Sequence, residues 1–301
     1  MNKKTVIITG GTGYVGSNLA KRLVHDNCNV YIIARTGSSF NYIEDIAKDI
    51  KILIYDGTVE CLIKCFNEVK PHFIFHLASL VIIEHEINDI DNLIESNIKF
   101  GTQILEAMVK SKVNTIINTG TSWQHYNNDN YNPVNLYAAT KQAFESILKY
   151  YTEAKGIRAI TLELFDTYGP LDNRFKIINL LRRMYKNNLS LNMSQGEQLI
   201  DIIYIDDIVE AYIVASNNLF KDKNIKNNKY SVCTNKPIKL KKLVEMFEEI
   251  YEMELNINWG GRSYRDREVM TTWNKGEVLP NWQPKVVLEE GFRRLKRYDN
   301  M

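Results

Sequence analysis

Six short apolar runs, rich in Ile and Val, punctuate the first half of the chain near residues 4–9, 29–34, 51–55, 72–77, 113–119 and 157–163. Between them apolar positions recur every three or four residues, as in Tyr14–His25, which is helical spacing. Strands that are apolar throughout, rather than at alternate positions, are buried on both faces, the condition of a parallel sheet. Strand–helix alternation supplies the crossovers such a sheet needs, so the pattern predicts a doubly wound parallel α/β fold. The alternation breaks after Gly169-Pro170. Beyond it the pattern predicts helices at 174–187, 206–217 and 239–251 and short strands near 200–204 and 229–233. Residues 1–167 are therefore expected to form the sheet domain and 168–301 a smaller mixed α/β cap over the substrate, with some segments returning to the main sheet. Asn-rich 126–132 and Lys/Asn-rich 221–229 read as surface loops.

Composition narrows the function classes. With 45% hydrophobic residues among 301, the chain has material for a substantial core. Its 38 basic residues nearly cancel its 36 acidic ones, so no nucleic-acid partner is expected. No segment approaches about 18 uninterrupted apolar residues, so no membrane span is expected. Met1-Asn2-Lys3-Lys4 runs straight into the first strand, whose apolar part is too short and glycine-broken for a signal peptide. The four cysteines, Cys28, Cys61, Cys65 and Cys233, show no CxxC spacing. Free thiols in a reducing cytosol are expected rather than zinc or a disulfide. His25, His72 and His85 read as ordinary partly exposed residues. No histidine has the partners of a metal centre or a nucleophilic triad.

Two motifs carry chemistry. Thr9-Gly10-Gly11-Thr12-Gly13-Tyr14-Val15-Gly16 follows the first strand and opens the first helix. That is the setting of a dinucleotide-binding turn. The glycines allow a tight turn, close approach of backbone to a pyrophosphate and close helix–strand packing. Free N–H groups and the dipole at the helix N-terminus then favour the phosphates. The second motif is Tyr137-Ala138-Ala139-Thr140-Lys141. Positions i and i+4 of a helix share a face, so phenol and ammonium can share a site. A nearby cation favours the phenolate, and the tyrosine is expected to have a lowered pKa and to act as acid or base. Upstream, Asn118-Thr119-Gly120-Thr121-Ser122 ends another apolar strand and offers a hydroxyl to polarise a carbonyl.

The end of the second strand bears on the cofactor. NAD-binding sheets place an acid there to accept from the ribose 2′-OH. This chain has Arg35, followed by Thr36, Gly37, Ser38 and Ser39. A guanidinium binds a 2′-phosphate with two charge-assisted bonds, and the small hydroxyls add donors. NADP(H) is favoured, with NAD(H) as the alternative if Arg35 stacks on adenine instead.

Together the two motifs resemble the extended short-chain dehydrogenase/reductase family over essentially the whole chain. The resemblance implies a Rossmann domain, a nicotinamide cofactor and a Thr121–Tyr137–Lys141 catalytic set. It implies cofactor contacts from Gly10, Thr12, Gly13, Tyr14, Val15 and Gly16, from Asp56-Gly57 at the adenine, and from Leu77-Ala78-Ser79, after His76, on the nicotinamide side. Asn97 and Thr119 join that set. Phe165-Asp166-Thr167-Tyr168-Gly169-Pro170 and Tyr204-Ile205-Asp206-Asp207 mark the substrate half. Arg265 and Glu268 fall where sugar-nucleotide members often carry an arginine and an acid. Asn281-Trp282-Gln283-Pro284 and Leu288-Glu289-Glu290-Gly291 look like the family's closing segment.

The reaction type follows from departures within that pattern. Dehydratases of the family carry an Asp-Glu pair directly after the active threonine. Here Ser122-Trp123-Gln124 follows Thr121, with no acid, which leaves reduction or epimerisation. A net reductase consumes reduced cofactor at every turnover, commonly NADPH, so Arg35 tilts the reading toward reduction. The stretches Thr119–Tyr126 and Pro133–Glu145 look like those of reductases that make CDP-linked dideoxy sugars, the abequose and paratose synthases. The resemblance thus implies reduction of the 4-keto group of a nucleotide-linked deoxysugar, with a nucleotide-sugar epimerase as the alternative. Ile200 stands where many epimerases place an arginine before the Asp201 equivalent. The diphosphate is then left to Arg265, Arg174 or Arg262. Ser122, Trp123, His125 and Asp166 are candidates for the sugar, Trp123 as a pocket wall or as packing. Apolar positions at helical spacing in Asn97–Met108 and Tyr137–Tyr151 are expected to pair two copies in a homodimer.

Overall fold

The computed structural model describes residues 3–300; Met1, Asn2 and Met301 lie outside the described residues. Strands β1 (Thr5–Thr9), β2 (Asn29–Arg35), β3 (Ile50–Tyr55), β4 (Phe73–His76), β5 (Thr115–Thr121) and β6 (Arg158–Leu164) match the six apolar runs. With a late strand, β11 (Asn227–Val232), they form one parallel sheet in the order β11-β6-β5-β4-β1-β2-β3. The order reverses between β1 and β4, and ligands bind in the crevice at the carboxyl ends of such a switch point. Thr9 pairs with His76 in register there, and their side chains share a 2.8 Å hydrogen bond.

Helices α1 (Tyr14–His25), α2 (Val59–Val69), α3 (Ile90–Ile94), α4 (Phe100–Lys110) and α5 (Leu136–Ala154) connect these strands. A π turn at Glu95–Lys99 joins α3 to α4. One face of the sheet is covered by α2, α4 and α5 through Leu62, Phe66, Ile104, Leu105, Met108, Phe144 and Leu148. The apolar positions of Asn97–Met108 and Tyr137–Tyr151 therefore point into the protein's own core. The outward apolar residues here are Ile87, Ile90, Ile94 and Tyr150.

The later half comprises β7 (Asp166–Tyr168), α6 (Ile177–Asn187), β8 (Ser190–Met193), β9 (Leu199–Ile200), β10 (Ile202–Tyr204), α7 (Ile205–Lys221), β11, β12 (Ile238–Lys239), α8 (Leu240–Tyr251), β13 (Asn256–Trp259) and α9 (Leu288–Asp299). Its small strands pair as β10-β7, β12-β9 and β13-β8. The second core runs without a break from Val6, Ile8 and Leu19 through Ile208 and Tyr212 to Phe247, Phe292 and Leu295. Packing thus continues across residue 168, because α7 and β11 complete the sheet layer that α1 begins. The later half, packed on this core, lines a shared cavity with Ser122 and Trp123 after β5 and Phe165 and Asp166 after β6.

Candidate active site

The glycine turn brings backbone to the switch point. Gly10 has φ +71°, and a Cβ there would lie 2.6 Å from the Ala78 nitrogen. A Cβ on Gly16 would lie 2.2 Å from the Gly10 carbonyl. Only glycine allows this approach of β1, α1 and the Leu77–Ser79 segment. Gly13 caps α1 with no side-chain hydrogen bond, and the first turn holds no acid. The opening N–H groups of α1 are thus left to a ligand, and with Thr12 and Val15 half-buried around them the cradle fits a dinucleotide diphosphate. Tyr14 turns inward and is buried, its ring under the Arg174 guanidinium at 4.7 Å.

The other expected cofactor residues fall along the same rim. Arg35 ends β2, exposed, with its guanidinium in no ion pair among the described residues. Its N–H donates to the Ser38 hydroxyl at 3.1 Å, which closes the turn and leaves the Ser38 O–H free to donate. Asp56 and Gly57 lie exposed after β3. The Asp56 carboxylate accepts from the Thr58 hydroxyl and N–H at 2.7 and 2.9 Å, and those bonds hold its pKa below the usual carboxylate range. Thr119 is half-committed, bonded to the His76 carbonyl at 2.9 Å and the Tyr212 hydroxyl at 2.7 Å.

Asn97 departs from its expected role. It is buried, donates to the Leu80 carbonyl and the Thr140 hydroxyl, both at 2.9 Å, and accepts from the Leu80 N–H and the Ser79 hydroxyl. Its amide is spent on fastening the segment after β4 to α5, so it positions Ser79 rather than offering an atom to a ligand.

Tyr137 and Lys141 share the inner face of α5. Asn135 starts that helix by accepting from the Ala138 N–H at 3.0 Å. Thr121, at the end of β5, faces them and is buried. The electrostatics differ from the expectation of a lowered phenol. Burial pushes the Tyr137 phenol up to about 12, against the pull of the neighbouring Thr121 and Ser79 hydroxyls. Lys141 does not offset this: it is itself desolvated, and burial brings it down to about 8, with Glu145 pulling it back. His76, ringed by Phe100 and Phe144, is pushed down to about 3 by burial and then by Lys141. It stays neutral beside the site.

A cavity of about 620 Å³ opens next to this set, between the sheet rim and the cap. Ser122 and Trp123 line it, as do Asp166, Arg174, Arg262, Arg265 and Glu268. Asp166 is held by Lys176 at 2.7 Å. Burial would raise this carboxyl, but the ammonium outweighs it and keeps it ionised. Lys176 also lies 5.4 Å from the centre of the Trp123 ring. Arg174 is locked to buried Asp172 through two 2.8 Å bonds. Arg265 and Arg262 reach toward the cavity from the cap and lie 3.4 and 4.0 Å from Glu84.

His125 does not reach the cavity. It is buried, stacked on Trp273 at 4.0 Å, and bonded through Nε2 to Glu163 at 2.7 Å. An aromatic plate and a buried acid hold it, so it supports the strand end instead of touching substrate. The 126–132 segment lies at the surface, as expected, and Asn128 ties it to the later half by exchanging hydrogen bonds with Asn274 and accepting from Lys275. Three residues carry no assigned role in the sequence alone: Glu84 and Lys176, which line the cavity, and Gln124, buried beneath the Thr121 turn. Only Gln124 carried a local signal, since Thr121-Ser122-Trp123-Gln124 has the spacing of a capping box, which the structure contains.

Comparison with known proteins agrees with this geometry. Residues 6–233 match the model of the NAD dependent epimerase/dehydratase family. The chain is similar to the CDP-abequose synthase of Yersinia pseudotuberculosis, 31% identical over 88% of this chain and 90% of that protein. The CDP-abequose synthase of Salmonella muenchen is 27% identical over 98% and 97% of the two chains. Among solved structures, UDP-N-acetylglucosamine 4-epimerase from Methanobrevibacter ruminantium M1, in complex with UDP-N-acetylmuramic acid, superposes with a TM-score of 0.86 at 21% identity, covering 99% and 98%. The fold, the glycine cradle and the Tyr137–Lys141 site therefore have one account: the chain is an enzyme that belongs to the NAD-dependent epimerase/dehydratase family.

Proposed function

We propose that this enzyme reduces the 4-keto group of a nucleotide-linked deoxysugar, with a CDP carrier favoured and NADPH as the reductant. The observation that carries the reading is the placement of two buried hydroxyls together, Thr121 at the end of β5 and Tyr137 on α5. Like any phenol, Tyr137 is protonated at neutral pH, and a carbonyl reduction asks it for a proton. The similarity to two CDP-abequose synthases supports the sugar and its carrier. The absence of an acid at Ser122-Trp123-Gln124 speaks against elimination.

The nicotinamide cofactor, with its diphosphate in the glycine cradle, would supply the hydride. Thr121 and Tyr137 donate hydrogen bonds to the carbonyl oxygen and hold it as charge develops. Tyr137 gives its phenolic proton to the resulting alkoxide. Lys141 holds the nicotinamide ribose. Asp166 with Lys176 receives a sugar hydroxyl, Trp123 walls the sugar, and Arg265, Arg262 and Arg174 face the diphosphate, with Glu268 beside Arg265. Arg35, with Ser38, receives the 2′-phosphate that distinguishes NADP(H) from NAD(H).

The alternative is a nucleotide-sugar epimerase, which returns its hydride. Incubation with CDP-, UDP-, dTDP- and GDP-linked 4-keto sugars separates the two. The reading expects NADPH consumption, fastest with the CDP-linked deoxysugar. No NADPH loss with any of them, together with interconversion of the 4-hydroxyl epimers of the corresponding reduced sugars, would replace it with epimerisation. We also propose a homodimer, with Ile87, Ile90, Ile94 and Tyr150 as its exposed apolar surface. Light scattering is expected to give about twice 35.0 kDa, and a monomer at micromolar concentration would remove that proposal.

A further inference from the structure

Tyr137, Lys141 and Glu145 stand at i, i+4 and i+8 of α5 and so share one face. The reaction as described uses the first two. The Glu145 side chain is 11% exposed, and its Oε1 accepts from the Gln124 side chain at 2.9 Å. Gln124 is fully buried. Its amide also donates to Gln142 at 2.8 Å, and its oxygen accepts from the Thr121 backbone N–H at 3.0 Å. Thr121 N can only donate, so the amide has one orientation, and its nitrogen must face acceptors. Gly120 makes room for this arrangement: a Cβ there would lie 3.0 Å from Glu145 Oε1 and 3.1 Å from Glu163 Cγ.

Glu145 thus meets the catalytic set twice, through Gln124 at Thr121 and through its charge along the helix at Lys141. Lys141 is 2% exposed, and its ammonium stands in no direct ion pair among the described residues. We propose that Glu145 is a positioning residue of the reaction: through Gln124 it fixes the turn that carries Thr121, and it supplies counter-charge to the buried Lys141 ammonium. The inference rests on the Thr121–Tyr137–Lys141 reading of the site. Other charged or titratable groups face this pair. His76 approaches Lys141 from β4. Glu163 from β6 and Lys229 from β11 lie behind Glu145, with Lys229 Nζ 3.6 Å from Glu145 and 3.0 Å from Glu163. His125, after β5, is tied to Glu163. Burial raises the Glu145 carboxyl, and Lys229 and Gln124 work against that rise.

The test reads Lys141 directly, by carbon-13 NMR titration of the lysine side chains, with Lys141→Met to assign the signal. Glu145→Gln keeps an acceptor for Gln124 and removes the charge. Its Lys141 midpoint is expected about one pH unit lower than in the unaltered enzyme, since an opposite charge nearby shifts such groups by that order. Turnover should also fall at least threefold at pH 7. Gln124→Met cuts the bridge and leaves the charge, so turnover should fall with the Lys141 midpoint and NADPH affinity unchanged. An unmoved midpoint in Glu145→Gln overturns the electrostatic half, and full turnover in Gln124→Met overturns the bridging half. If Glu145→Gln does not fold, Glu145→Asp retains the charge at shorter reach and is expected to keep the midpoint while losing turnover; a shifted midpoint there overturns the assignment. The titration needs no substrate, so a wrong sugar or reaction type leaves its outcome intact.

Discussion

Lys141 and Asp299 are both buried charged residues, and the protein treats them in opposite ways. The Asp299 side chain is fully buried at the end of α9, yet Arg182 donates to both its oxygens, at 2.5 and 2.8 Å. Lys186 at 2.9 Å and the Tyr251 hydroxyl at 2.9 Å complete the cage. Burial would raise the carboxyl, but Arg182 and Lys186 outweigh it and hold it below its usual range. Lys141 has no such partners, and burial lowers it to about 8. A charge that ties α6, α8 and α9 together is saturated. Under the proposed function the Lys141 charge is left open for a ligand, and the fold bears that cost.

The largest expected effect breaks the catalytic side of this contrast. Tyr137→Phe removes the proton donor while leaving the buried ring. Turnover should fall about 10²–10⁴-fold with cofactor affinity kept. A loss under tenfold would mean that another group gives the proton.

Stability should respond in the reverse sense. Arg182→Met leaves Asp299 buried with too few partners, a defect that typically costs about 3–5 kcal/mol. Lys141→Met removes a buried ammonium that no direct ion pair holds and should leave the Tm equal or higher while activity collapses. Equal destabilisation by the two variants would erase the distinction. Their pH dependence sharpens it. Folding lowers the pKa of Lys141, so from pH about 8 up to its ordinary value the unfolded chain binds more protons. Stability from this residue therefore rises with pH across that window, and Lys141→Met should lose the rise. Asp299, depressed in the folded state, contributes stability above the ordinary carboxylate range and loses it as pH falls. Denaturant titrations at several pH values would record both slopes.

A smaller effect is expected at Arg35. Arg35→Asp replaces an attractive partner of the 2′-phosphate with a repulsive one. NADPH affinity should drop at least tenfold, since a charged hydrogen bond contributes about 1.5–3 kcal/mol. NADH should lose much less, at one fixed ionic strength. Equal weakening toward both would mean that the guanidinium stacks on adenine.

The two halves also differ in how plainly they can be read from the chain. The strands β1 to β6 announce themselves because each is a short apolar run between amphipathic stretches. The later half hides β7, β8, β12 and β13 in pieces of two to four residues, too short for any period, and α9 carries only the pattern of a closing segment. Thr121, Tyr137 and Lys141 were legible because strand end and helix spacing are local properties. Glu84 and the His125–Glu163 pair were not, because their partners lie far away in sequence, and Lys176 meets Asp166, ten residues before it, only because the chain folds back after β7. The phenol was misjudged for a related reason. Spacing shows that Lys141 is near Tyr137, but it does not show that both are desolvated.

The central claim is that Tyr137 acts as an acid in a net reduction. NADPH deuterated at the transferable position of its nicotinamide, mixed with a CDP-linked 4-keto deoxysugar, tests it most directly by mass spectrometry of the sugar. The account predicts one deuterium at the former carbonyl carbon for each NADPH oxidised, and none from Tyr137→Phe above about a hundredth of that rate. A sugar that gains no deuterium while the NADPH count stays unchanged, from an enzyme that interconverts the 4-hydroxyl epimers of a CDP-linked sugar, would contradict it.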